Sequence, residues 1–192
     1  MLSEPVAVTL QVTEALESLG VPYVIGGSMA STAHGRIRTT LDVDIVADLQ
    51  PAHVDALVQA LGDAFYVDAN AARNAIQRRS SFNLIQLETM FKVDIFIPKD
   101  RPFDRQQLAR RENQVIGTEP DQTAYVASAE DVILAKLEWY RLGGEVSERQ
   151  WRDVLGILAV SGARLDQDYL RHWAVTLNVS DLFEQALSEA NL

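Results

Sequence analysis

At 192 residues, with 47% of them hydrophobic, the chain is long enough for one compact domain or for a core with a helical appendage. The absence of cysteine excludes disulfides, a thiolate nucleophile and a cysteine-based zinc site. A formal net charge of −10 opposes broad binding to nucleic acid, because that affinity comes from lysine and arginine on phosphates.

No apolar stretch is long enough to span a bilayer, so no membrane partner is expected. Residues 1–5 lack the basic region that begins a secretory signal. We therefore predict a cytoplasmic protein.

The chain begins with a helical pattern followed by a glycine turn. Apolar spacing predicts a helix over residues 4–19, then a strand that includes residues 24–25. Gly26 and Gly27 form the turn, and a short helix that ends at Gly35 follows.

This turn offers hydrogen-bond donors for a phosphate. Gly26 and Gly27 let backbone N–H groups approach an anion, the next helix adds donors and a favourable dipole, and Ser28 adds a hydroxyl. The alternative is a tight turn without a ligand, since paired glycines are common. Phosphate binding is therefore predicted only in combination with the acidic residues downstream.

Two carboxylates lie in the next apolar strand, predicted over residues 41–47. Asp42 and Asp44 are two residues apart, so their side chains point to the same face. Anions that close repel each other, and paired hard oxygen ligands suit Mg²⁺ or Mn²⁺. The alternative is an edge strand whose polar face meets water, although aspartate is disfavoured in strands.

A third carboxylate, Asp94, lies in a predicted hairpin. Residues 82–87 and 91–97 have the pattern of two antiparallel strands, with Asp94 in the second. Lys92 falls on the same face, which allows the alternative of a solvent-facing position. Between the acidic strands, the pattern predicts a helix from Pro51, a strand at residues 65–67 and a helix at residues 69–77.

The remainder of the chain becomes increasingly helical. A polar stretch to about residue 113 is compatible with a helix, and residues 114–127 with one or two short strands. This order predicts an α+β (α/β) fold, in which a small mixed sheet flanked by helices forms a core over residues 1–127. A helical bundle over residues 128–192 is predicted to pack on that core. The predicted helix caps are Ser128, Ser147 with Gln150, Asp166 and Ser180.

Lys136 interrupts the apolar pattern of the first C-terminal helix. The ordinary interpretation is a lysine whose stem packs while its ammonium group reaches water. The functional interpretation is a lysine that contacts a triphosphate. Trp139, Tyr140 and Trp151 are predicted to form core between two helices, with stacking on a base as the alternative.

Taken in order, Gly-Gly-Ser, Asp-x-Asp and a later strand aspartate resemble the nucleotidyltransferase superfamily of DNA polymerase β. Residues 26–36 and 38–44 are similar to its AbiEii-type branch, which includes toxins of bacterial toxin–antitoxin systems. The motif likeness covers residues 22–97, and a weaker one at residues 128–137 continues into the helical region.

The resemblance implies Mg²⁺-dependent transfer of a nucleoside monophosphate from a nucleoside triphosphate to an acceptor hydroxyl. The acceptor stays open between an RNA 3′ end such as that of tRNA, a small molecule and a protein, and a cognate antitoxin is an implied partner. For Arg38, phosphate binding and pairing with a nearby aspartate both remain open. The implied catalytic and metal-binding residues are Asp42, Asp44 and Asp94, and the implied nucleotide-binding residues are Gly26, Gly27, Ser28, Arg38, Lys136 and Asp153.

A catalytically degenerate nucleotidyltransferase fold that acts as a nucleotide-binding or protein-interaction module is the second hypothesis. It predicts no stabilisation by Mg²⁺ and no turnover. All three carboxylates are present, which favours the enzyme, because a decayed site has little reason to tolerate their repulsion.

Overall fold

The computed structural model describes residues 3–33 and 42–191, and this part of the chain contains one seven-stranded sheet and nine α-helices. The strands are β1 (Tyr23–Ile25), β2 (Asp42–Ala47), β3 (Phe65–Val67), β4 (Ser81–Gln86), β5 (Lys92–Phe96), β6 (Glu112–Val115) and β7 (Thr123–Val126). The helices are α1 (Glu4–Ser18), α2 (Gly27–Ala33), α3 (Val54–Leu61), α4 (Ala69–Arg78), α5 (Pro102–Ala109), α6 (Ala129–Leu142), α7 (Glu148–Ser161), α8 (Gln167–Thr176) and α9 (Ser180–Glu189).

The chain divides into two compact units. Within the described residues, the first unit comprises 3–26 and 42–126 and holds the whole sheet with α1, α3, α4 and α5. The second comprises 27–33 and 127–191 and holds α2 with α6–α9. The predicted α+β class is confirmed. The division into a core over residues 1–127 and a helical region over residues 128–192 stays a prediction.

The sheet of the first unit is mixed, with the order β3-β4-β5-β2-β1-β7-β6. Only β2–β5 and β1–β7 pair in parallel among these described strands. The predicted hairpin of β4 and β5 is confirmed as an antiparallel pair. Because β5 bonds to β4 on one side and β2 on the other, the two acidic strands lie side by side at the centre of the sheet.

Alternation of apolar and polar residues decides which face of the central strands is buried. Val43 and Ile45 of β2 are at most 1% exposed, as are Val93 and Ile95 of β5, whereas the intervening charged residues are half-buried. α1 packs against β2 and β7 through apolar side chains at helical spacing. The hydrophobic effect therefore fixes the register of β2 and β5, since a one-residue slip would bury the charges.

Tyr23 on β1 ties three elements of the first unit together. Its hydroxyl donates to Glu17 Oε1 at 2.6 Å and accepts from the backbone N–H of Tyr125 at 3.3 Å. Burial, and next the hydrogen bond to Glu17, raise the pKa of the Tyr23 hydroxyl, so it stays a donor. α1, β1 and β7 are thereby linked at one buried atom.

The second unit is held by helix caps and an apolar core. Ser128 and Asp166 accept from backbone N–H groups at the starts of α6 and α8, as predicted, and Ser147 accepts from the Gln150 N–H at 3.4 Å. The prediction for Ser180 is wrong: α9 begins at Ser180 itself, and the residue in the cap position is Val179, which offers no side-chain acceptor. No described helix combines the length and the apolarity that crossing a membrane requires.

We expect Tyr23→Phe to lower the free energy of unfolding by about 1–2 kcal/mol, because a buried donor–acceptor pair is lost. Urea unfolding would measure it, with Tyr66→Phe as the control, since Tyr66 is 55% exposed. Equal effects of the two substitutions would contradict a structural role for the Tyr23 hydroxyl.

Candidate active site

The three predicted metal-ligand aspartates come together on one face of the first unit's sheet. In the parallel pair of β2 and β5, Asp42 lies opposite Lys92 and Asp44 lies opposite Asp94. Paired residues share a face, so all four charged side chains project from the same half-exposed surface. The sequence predicts the face of each strand but not that the two strands are neighbours.

Lys92 forms an ion pair in the middle of this acidic group. Its Nζ lies 2.7 Å from Asp94 Oδ2, and the two side chains are 42% and 15% exposed. The pKa of Lys92 is raised: the hydrogen bond to Asp94 is the largest cause, the charges of all three aspartates add to it, and partial burial opposes it. Lys92 therefore remains an ammonium ion within the negative field of the three carboxylates.

Asn83 of β4 lies opposite Asp94 on the other side of β5 and is exposed. Its amide extends the polar face by one strand, and an amide oxygen is a further hard ligand for a cation. Asn83 falls in an alternating strand pattern that the sequence reveals, but its pairing partner is visible only in the structure.

The chemistry of this donor set fits a divalent cation, and Asp42, Asp44 and Asp94 are the residues that would hold it. Among residues 3–33 and 42–191, however, no three histidine, aspartate or glutamate side chains are arranged as a ligand cluster. Asp94 is instead paired with the ammonium group of Lys92, which already supplies positive charge to this face.

Gly26 and Gly27, the two glycines of the predicted phosphate-binding turn, differ in whether the backbone conformation favours glycine. Gly26, in the first unit, donates its N–H to the Asp44 carbonyl oxygen at 2.9 Å, so this donor already serves the sheet. A Cβ at Gly26 would meet only that oxygen, at 4.0 Å, so the fold does not exclude a side chain there. Gly27, in the second unit, has φ of 57°, which favours glycine.

Ser28 and Arg149 form a contact within the second unit that the sequence does not reveal. Ser28 is buried on α2, and its Oγ accepts from Arg149 Nη2 at 2.9 Å. Arg149 is exposed on α7, a helix that packs against α2. The arrangement offers a guanidinium and a hydroxyl together, and both suit phosphate oxygens.

Lys136 and Asp153 form a buried ion pair between α6 and α7. Lys136 Nζ lies 3.0 Å from Asp153 Oδ2 and donates to Gln150 Oε1 at 3.1 Å. The two charged side chains are only 6% and 2% exposed. The ammonium group therefore does not reach bulk water, and the ordinary interpretation of Lys136 is wrong in that respect. Binding of a nucleotide by the pair stays a prediction.

The remaining sequence predictions have mixed outcomes. Arg38 lies outside the described residues. Trp139 is 52% exposed, so its assignment to the core is wrong. Tyr140 and Trp151 are half-buried and in contact, with ring centroids 5.3 Å apart and ring planes tilted by 35°. Several arginines of the first unit bind carboxylates of their own: Arg73 with Asp55, Arg101 with Asp104, and Arg105 with Asp100.

No family model matches the chain, and no curated protein matches it in sequence. Solved structures match its fold. An antigenic nucleotidyltransferase-like protein from Paracoccidioides brasiliensis is similar over 99% of this chain and 93% of its own, with a TM-score of 0.61 and 17% identity. The antibiotic-resistance factor ANT(2'')-Ia is similar as a solution structure over 97% of this chain and 94% of its own (TM-score 0.58, 15% identity).

A crystal structure of ANT(2'')-Ia in complex with adenylyl-2''-tobramycin covers 92% of this chain and 98% of its own, with a TM-score of 0.54 and 13% identity. These likenesses show the fold: the chain shares the architecture of these three solved structures.

The buried pair between α6 and α7 supports a first test of this region. We expect Lys136→Met to lower the free energy of unfolding by about 3–5 kcal/mol, because Asp153 would keep a buried charge without its cation. Combining it with Asp153→Leu should restore most of the loss, since both charges are then removed. Urea unfolding would measure each variant.

The control for this pair is Arg152→Ala, which breaks an exposed ion pair with Glu148 on the same helix. It should leave stability near that of the wild type. A Lys136→Met protein as stable as the control would show that the buried pair does not hold α6 to α7.

Proposed function

We propose that this chain is a metal-dependent nucleotidyltransferase that moves a nucleoside monophosphate from a nucleoside triphosphate to the hydroxyl of a small cationic acceptor. The observation that carries the proposal is the register of β2 and β5, which places Asp42, Asp44 and Asp94 on one face. The order of the motifs and the shared fold support the same class.

The proposed reaction is a substitution at the α-phosphorus. The acceptor oxygen bonds to phosphorus, the bond to the bridging oxygen of the β-phosphate breaks, and pyrophosphate leaves. A divalent cation bound to the carboxylates would neutralise charge on the phosphoryl oxygens. Asp42 and Asp44 are assigned to hold the cation, and Asp94 to share in this or to accept the proton of the hydroxyl.

Taken by itself, the second unit offers groups that suit phosphate oxygens, and Ser28 and Arg149 are the residues proposed for that role. The Ser28 hydroxyl and the Arg149 guanidinium lie within hydrogen-bond distance of each other, so both are close enough to donate to the same phosphate group. Gly27 has a positive φ, a backbone conformation that would be strained in a residue with a side chain. Lys136 and Asp153 are assigned a supporting role, because they hold α7, the helix that carries Arg149 and Gln150.

The preferred acceptor follows from charge. With a net charge of −10, the protein favours a cationic molecule over polyanionic RNA. A crystal structure of ANT(2'')-Ia, which has a similar fold, contains adenylyl-2''-tobramycin. An RNA 3′ end as acceptor, an AbiEii-type toxin role and an antitoxin partner rest on the motif resemblance alone and form the competing outcome.

The degenerate-fold hypothesis is favoured by one observation, the ion pair of Lys92 with Asp94, which engages a carboxylate that catalysis requires. It is distinguished by turnover. A protein that binds triphosphates but releases no pyrophosphate with any acceptor would be a binding module.

The decisive experiment incubates the purified chain with Mg²⁺, each labelled nucleoside triphosphate and either tobramycin or tRNA. Pyrophosphate release and the mass of the acceptor are measured. We expect transfer to tobramycin, with Asp42→Asn lowering kcat by about a hundredfold or more because a metal ligand is lost. Asp63→Asn makes the same change of charge at an exposed turn and should retain activity.

Transfer that persists in Asp42→Asn would reject the metal assignment. Transfer to tRNA alone would reject the cationic acceptor and restore the toxin-like alternative.

Arg149→Ala is expected to raise KM for the triphosphate by about tenfold, because a charge-assisted hydrogen bond to phosphate is lost. Steady-state kinetics at varied triphosphate concentration would measure it. Arg152→Ala, another exposed arginine of α7, serves as the control. Unchanged KM in Arg149→Ala would remove Arg149 from the phosphate contacts.

A further inference from the structure

Three carboxylates and one ammonium group share one face of two neighbouring strands. β2 carries Asp42 and Asp44, and β5 carries Lys92 and Asp94 in register beside them. The opposite face of both strands is closed by buried apolar side chains. The charged groups therefore meet the same small surface, and each carboxylate feels the charge of Lys92.

Lys92 supplies this surface with what a bound cation would supply. Its ammonium group lies 2.7 Å from Asp94 Oδ2, where attraction offsets the repulsion among the anions. An ammonium ion carries one charge and three donors, whereas a divalent cation carries two charges and accepts several oxygen ligands at once. The side chain of Lys92 is 42% exposed, so its flexible stem leaves the ammonium group a route toward water.

We propose that Lys92 is a resident counter-ion, which competes with the divalent cation for the carboxylates of β2 and β5 and moves away from Asp94 when that cation binds. This inference rests on the proposed function, because it takes the carboxylates as metal ligands. It assigns the face two states. In one, the ammonium group holds Asp94; in the other, Asp94 is released to the metal or to the acceptor proton.

The competition makes Lys92 act in opposite directions on stability and on affinity. Without metal, its charge stabilises the strands by relieving the repulsion of the aspartates. With metal, the same charge must be displaced from Asp94, so the ion pair weakens metal binding. A residue needed only for packing would not couple these two quantities.

Isothermal titration calorimetry with Mn²⁺ and with Mg²⁺ tests this directly on the full chain. We expect Lys92→Met to bind either ion more tightly than the wild type by roughly tenfold or more, since one nearby positive charge is removed. Lys92→Arg keeps the charge and should bind as the wild type does. Lys99→Met, an exposed lysine of the first unit, makes the same change of net charge elsewhere and should also bind as the wild type does.

Thermal melting of the same variants adds a readout that does not depend on activity. In the presence of a chelator, Lys92→Met should melt below the wild type and below Lys99→Met. Saturating Mn²⁺ should raise its melting temperature more than that of the wild type, because the tighter ligand stabilises more.

The outcomes separate this inference from the proposed function. No heat of binding in the wild type and in Lys92→Met would reject the metal assignment itself. Binding in the wild type with no gain in Lys92→Met would reject the counter-ion role and leave the proposed function standing.

Chemical labelling of the wild type provides a test that needs no variant. An amine-acylating reagent followed by peptide mass spectrometry gives the rate of modification of each lysine. Addition of Mg²⁺ should increase the rate at Lys92, because the ammonium group leaves its ion pair, with no change at Lys99. An unchanged rate at Lys92 under conditions of metal saturation would overturn the proposal.

Discussion

The acidic face of this protein depends on the pairing of β2 with β5, which places the carboxylates of Asp42, Asp44 and Asp94 beside one another on adjacent strands. Burial of Val43, Ile45 and the paired residues of β5 fixes the register of the two strands. In that register the aspartates lie on the opposite, half-exposed face of the sheet. Electrostatics then requires a positive charge. In the structure Lys92 provides this charge through its ion pair with Asp94. Apolar packing therefore brings the two strands together, whereas repulsion among their aspartates opposes the pairing.

The two units handle charge in different environments. In the first, the ion pair of Lys92 lies at a half-exposed surface, where water screens it and rearrangement is inexpensive. In the second, the pair of Lys136 and Asp153 is almost wholly buried, where loss of either partner leaves a charge in a medium of low dielectric constant. The first environment suits a group that changes partners, and the second suits one that holds helices in place.

Much of the fold is predictable from local patterns, whereas the site is predictable only in part. Alternation identifies β2 and β5 and the shared face of Asp42 and Asp44, because side-chain direction in a strand has a period of two. The adjacency of these strands is not local information, since β5 is also the second arm of a hairpin with β4. The contact of Arg149 with Ser28 is not predictable from the sequence for the same reason, because the two residues are 121 positions apart in the chain.

The parallel pairing of β2 with β5 also has a consequence for how the protein folds. A hairpin forms its contacts early because its arms adjoin, but β2 and β5 are separated along the chain by α3, β3, α4 and β4. Their meeting closes a long loop, which is entropically costly and slow. Asp94 is thus brought beside Asp42 and Asp44 only once this loop has closed, so an ion that binds all three aspartates acts on the native state and scarcely on the denatured ensemble.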